Sequence, residues 1–81
     1  KTGTHMAEQI IFDVADELAR ESLEIFEVSG DEDIFDDVTK IIGASSQTLE
    51  EAYKTAVRVR RAEKRALTLL AERKAALKPG G

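Results

Sequence analysis

The sequence predicts an all-α fold: a small three-helix domain, two shorter helices followed by one long C-terminal helix, expected to assemble as a dimeric helical bundle. Three observations carry that expectation. Apolar residues recur at helical spacing along most of the chain, caps and stops punctuate the segments, and no stretch alternates as a strand would. At 81 residues one domain is the ceiling. A chain this small buries only about 60% of its unfolded surface, so a monomer is marginal and a partner or second copy is expected.

The first helix is expected from about Glu8 to Val28. Projected at ~100° per residue, Ile10, Ile11, Val14, Ala15, Leu18, Ala19, Leu23, Ile25 and Phe26 fall on one side, while Asp13, Asp16, Glu17, Arg20, Glu21, Glu24 and Glu27 fall on the other. The apolar face takes about half the circumference, more than one neighbouring helix requires. Ser29-Gly30 ends the helix, because glycine accepts a left-handed cap.

A second helix is expected from Asp31 or Glu32 to Ile42. Asp31, Glu32 and Asp33 stand at its start, where carboxylates cap free N–H groups and complement the helix dipole. Ile34, Phe35, Val38, Ile41 and Ile42 make its apolar side, and Gly43 is its expected C′ residue. The third helix is read as opening on a Thr48/Glu51 capping box and running unbroken to Pro79, about 31 residues or ~46 Å. Its apolar stripe is Leu49, Ala52, Tyr53, Ala56, Val59, Ala66, Leu67, Leu70 and Leu77. Leu18 and Leu70 are the expected core leucines, with Phe12 at the edge of its face. Two packings fit these lengths. In one, helix one runs parallel to helix three and the far half of helix three projects; in the other, helices one and two lie end to end along helix three.

Residues 1–6 (Lys1-Thr2-Gly3-Thr4-His5-Met6) read as an expression remnant, which removes the only histidine from functional argument. Residues 7–78 read as the single helical domain and 79–81 as a terminal tail. Charge is divided by position. Residues 1–43 carry twelve acids and three bases, a net −9; residues 44–81 carry four acids and nine bases, a net +5; together they give the chain its −4. Either the halves pack on each other or one half meets an oppositely charged partner.

Catalysis is not expected, since no nucleophile–base pair, Gly-rich phosphate loop or metal-ligand spacing occurs, and no cofactor is implied. The acidic run from Asp31 to Asp37 lacks the spacing of a calcium loop, because Ile34 and Phe35 interrupt it. There is no cysteine, and no apolar run exceeds three residues, Ile10-Ile11-Phe12 being the bulkiest. A cytoplasmic protein without a membrane span is therefore expected. The favoured reading is a non-enzymatic adaptor or oligomerisation module working through protein–protein contacts, with self-association as a homodimer. Its expected interaction surface comprises Ile11, Val14, Leu18, Phe26, Tyr53, Val59, Arg60, Glu63, Leu67 and Leu70. Arg60, Glu63 and Lys74 lie within the apolar stripe, where they either fix interface register or reach out to solvent from its edge.

The alternative is a small nucleic-acid-binding regulator. Residues 38–49 place a glycine turn between apolar positions, loosely resembling a helix-turn-helix, whose contacts would be Ser46, Gln47 and Thr48. Arg58, Arg61 and Arg65 would serve as outward bases. Against this stand Asp31–Asp37, Glu50 and Glu51, which would repel phosphate, and the absence of an aromatic residue among the bases.

Overall fold

The computed structural model describes the backbone of residues 2–77 and the side chains of residues 8–77. It is all-helical: α1 spans Thr2–Ser29, α2 Asp33–Gly43 and α3 Gln47–Leu77. The order and relative lengths are those expected. α1 starts ahead of Glu8, and the backbone of Thr2 to Met6 continues it, since extending an existing helix costs little per residue. The expected tail at 79–81 lies outside the described residues.

Gly30 ends α1 with φ +74, and its N–H donates to Phe26 O at 2.7 Å. Ser29 Oγ donates to Ile25 O and accepts the Asp31 N–H, and Asp31 Oδ1 then accepts the Asp33 N–H at 3.0 Å. Asp31 is thus the carboxylate that caps α2, while Glu32 makes no capping bond. Gly43 does not serve as a left-handed C′ residue, because the chain stays right-handed through Ala44 (φ −64, ψ −29). Its small size accommodates Glu50, whose Oε1 would lie 2.5 Å from an added Cβ. The expected Thr48/Glu51 box is also corrected. Ser46 caps α3, its Oγ accepting the Leu49 N–H at 3.0 Å and its carbonyl the Glu50 N–H. That frame places Thr48 already inside the first turn.

The core lies where α1 crosses α3. Ala15, Ala19 and Ser22 of α1 meet Tyr53 and Val57 of α3, all buried, with Leu18, Phe35, Val38, Ile42, Leu49, Ala52 and Ala56 packed partly buried around them. Two alanines at the crossing let the backbones approach closely. The Ser22 hydroxyl donates to Leu18 O at 2.8 Å, so at 2.7 Å the Tyr53 hydroxyl donates to Ser22 Oγ. Both polar groups are satisfied inside an apolar contact, which is how such groups are tolerated there.

The long helices run in the same sense but splay. Ile11 and Ala15 share a groove with Ala52 and Ala56, while Glu27 pairs with Lys64 further along both helices. The molecule measures 55 × 35 × 13 Å with a radius of gyration of 16.7 Å; a compact domain of this length has about 12 Å. It exposes 6250 Å², against about 4,800 Å² for a compact monomer of this size. Of the two expected packings this is the first, with the far half of α3 projecting. Every residue from Ala62 to Leu77 is exposed.

That projection overturns one core assignment. Leu70 is 53% exposed rather than buried, Leu67 and Val59 are likewise exposed, and Val57 takes the place expected of them. Leu18 is half-buried at the rim. Phe12, at 61% exposed, lies at the edge as expected.

Ala19→Leu drives three heavy atoms into the crossing and should cost about 1–3 kcal/mol in a denaturant titration. Burial pushes the Tyr53 phenol above its ordinary 10.0. The neutral phenol is the form the fold favours, so its contribution is complete below pH ~10 and lost as pH rises through the folded-state value. Tyr53→Phe should cost about 1 kcal/mol at pH 7. It should also flatten the loss of stability above pH ~10 relative to the parent.

Candidate interaction surface

The charge division closes partly within the chain. Arg60 Nε and Nη2 donate to the two Asp16 carboxylate oxygens at 2.8 and 2.7 Å, and Nη1 reaches Glu63 Oε1 at 3.3 Å. Arg61 donates to Glu32 Oε2 at 3.3 Å, and Lys64 pairs with Glu27. The Arg61 guanidinium also stands 5.1 Å from the Phe26 ring centroid and 5.2 Å from that of Phe35, with the two rings 5.6 Å apart. Here the C-terminal end of α1, the N-terminal end of α2 and the middle of α3 meet through a cation held over two aromatic faces, favourable by about 0.5–2 kcal/mol. Arg61 is therefore part of the scaffold and not one of the outward bases.

Of the expected interaction residues, Tyr53 is core, Leu18 packs half-buried against the core, and Ile11 and Phe26 are half-buried, the first at the groove and the second beside Arg61. Val14, Val59, Glu63, Leu67 and Leu70 are exposed, and Arg60 is half-buried in its bridge to Asp16. Arg60 and Glu63, three apart on α3, are paired, whereas Lys74 stands exposed on the projecting part of α3. Of the alternative nucleic-acid contacts, Ser46 is engaged as the α3 cap and Arg61 as described. Gln47, Thr48, Arg58 and Arg65 are exposed, and among the described residues Arg58 and Arg65 form no ion pair.

Two features were not anticipated from the sequence. The first is an apolar groove of about 520 Å³ where α1 diverges from α3, walled by Ile11, Phe12 and Ala15 on one side and Ala52, Ala56 and Val59 on the other. Glu8, Thr48, Glu51 and Thr55 form its rim. It exists because the small residues that let the helices touch at the crossing leave a wedge beyond it. The second is a shallower cleft of about 360 Å³ between Phe26 and Glu27 of α1 and Arg61, Lys64, Arg65 and Thr68 of α3. Leu69, 48% exposed, was also outside the expected stripe. The groove opens directly onto the projecting stripe of α3, because Val59 belongs to both.

The Arg60 guanidinium, by hydrogen bond and by charge, holds the Asp16 carboxyl below its ordinary 3.8 despite some desolvation. A depressed carboxyl stabilises the fold above the unfolded-state value and ceases to do so as pH falls through the folded-state value. Asp16→Asn should therefore lower stability at pH 7. It should also lose less than the parent on acidification below pH ~4. Both differences should shrink in high salt, because the pair is part-exposed.

No family model matches the chain, and no curated protein or solved structure is detectably similar to it, so its surface is what bears on function.

Proposed function

We propose that the chain is a non-enzymatic helical interaction module that works through protein–protein contacts and self-associates as a homodimer. One observation carries this reading. Every residue of α3 from Ala62 to Leu77 is exposed, and this stretch presents Ala66, Leu67, Leu69, Leu70 and Leu77 to solvent. A lone helix of that length is marginal in water, and a row of leucines at 48–80% exposure is the mark of a surface that another chain covers. Area supports the same conclusion. The chain exposes roughly 1,400 Å² more than a compact monomer of its size, and a stable interface takes about 800 Å² from each partner.

α1 supplies a second face. Ile10, Val14, Ile25 and Val28 are exposed along it, flanked by the acids of its polar side. This face would take a further protein partner and so give the module an adaptor role. The nucleic-acid alternative is left with Gln47, Thr48, Arg58 and Arg65 once Arg61 and Ser46 are engaged within the fold, and no further observation favours it. No helix among the described residues is long and apolar enough to cross a membrane. A cytoplasmic setting fits a chain without cysteine.

Sedimentation equilibrium at micromolar concentration should give the mass of two chains. Leu70→Ala should weaken that association while leaving the Tyr53 core intact, so its melting midpoint should fall only where the parent is dimeric. A mass of one chain at every concentration would contradict the proposal.

A further inference from the structure

We infer that the partner covering α3 is a second copy of the same helix, lying antiparallel to it about a two-fold axis at residue 68. The inference rests on the self-association proposed above and specifies its geometry. From Val59 onward the exposed side of α3 follows a heptad seam: Val59, Glu63, Ala66, Leu70, Arg73 and Leu77, spaced 4, 3, 4, 3, 4. Reversed about residue 68, this series sets Val59 against Leu77, Glu63 against Arg73 and Ala66 against Leu70 of the second copy. Each layer then joins a small residue to a larger one or an acid to a base, and the two-fold repeats every match. Such self-complementarity is what a two-fold interface requires.

The flanking positions agree. Leu67 and Leu69 lie on the two sides of the seam, 56% and 48% exposed. In an antiparallel pair each faces its own counterpart across the axis, so four leucines enclose the Ala66–Leu70 layers. This arrangement accounts for Leu69, which no contact within the chain explains. Other alignments leave charge stranded. A parallel pair sets Glu63 against Glu63 and Arg73 against Arg73. Sliding the antiparallel pair by one heptad step towards the crossing sets Glu63 against Ala66 and Arg73 against Ala56, burying both without a partner.

Glu63 is available for the contact. Its side chain is 53% exposed, and its bond to Arg60 is the longest of the three that Arg60 makes, the others going to Asp16. Arg60 itself faces Lys74 of the second copy, but its two bonds to the Asp16 carboxylate already neutralise it. At each end of the seam, Leu77 of one copy reaches Val59 of the other and with it the mouth of the groove walled by Phe12 and Ala56. The same contact thus shields Phe12, the most exposed phenylalanine of α1.

Charge exchange tests this pairing. Glu63→Arg alone and Arg73→Glu alone each place like charges in two layers, and each should weaken the dimer about tenfold or more in sedimentation equilibrium. The two changes combined on one chain, or the two single variants mixed, should restore it to within a few-fold of the parent. Circular dichroism checks that the Tyr53 core remains folded in each variant. Because the chain has no cysteine, oxidation provides an independent reading. Leu67→Cys should cross-link to itself. Val59→Cys should not, its two copies lying ~27 Å apart along the axis, but it should cross-link when mixed with Leu77→Cys. A dimeric parent whose single charge variants associate as tightly as it does, or whose Val59→Cys form cross-links to itself, would overturn the antiparallel register and leave self-association standing. A parent that is monomeric throughout would overturn both.

Discussion

The close crossing of α1 on α3 determines the rest of the molecule. It is made by two alanines, a serine, a tyrosine and a valine, and a contact of small side chains brings two helix backbones near each other only locally. Away from that point the long helices diverge, and no third layer fills the space between them. α2 is too short to do so at 11 residues; it packs Phe35, Val38 and Ile42 against the edge of the crossing and closes the wedge beside Phe26 and Arg61. The open groove on the opposite side and the bare end of α3 both follow from that geometry. Burial of apolar area, the main source of stability, is correspondingly small.

Charge gives the crossing its direction. The Asp16–Arg60 bridge lies beside the alanine contact, and Glu27–Lys64 and Glu32–Arg61 lie beyond it. Exposed pairs of this kind contribute little individually, about 0–1 kcal/mol. Together they favour the same-sense arrangement, in which the acidic half meets the basic stretch of α3. The fold uses Arg60, Arg61 and Lys64 in this way. Beyond Lys64 no base of α3 forms an ion pair among the described residues, and its bases and leucines face solvent together.

Much of this was legible in the sequence. Helix number, order and relative length follow from the apolar period together with Ser29-Gly30 and Gly43, because local punctuation depends on local chemistry. The N-cap of α3 was misplaced by two residues since Ser46 and Thr48 are equivalent cap residues. Only Thr48 has a glutamate three positions later, yet the turn selects Ser46. The buried side of α3 was harder to read. Its apolar positions belong to two adjoining faces, one carrying Tyr53 and Val57, the other Val59, Leu70 and Leu77. Ranking by bulk favours the second, whereas a close crossing selects the first. Ser22 left no apolar signal, because its burial depends on a hydroxyl 31 positions away in Tyr53. The groove could not be read at all, being the consequence of an angle between helices and not of any residue pattern.

Two kinds of order are expected within α3: the part up to Arg61 held by its own chain, and the part beyond held by another. Amide hydrogen exchange followed as a function of protein concentration separates them most directly. Amides around Tyr53 and Val57 should keep the same protection on dilution. Those from Ala62 to Leu77 should be protected when the protein is concentrated and lose that protection as it is diluted into the monomeric range. Protection of Ala62–Leu77 that does not change with concentration, whether uniformly high or uniformly absent, would contradict the view that a second chain completes this helix.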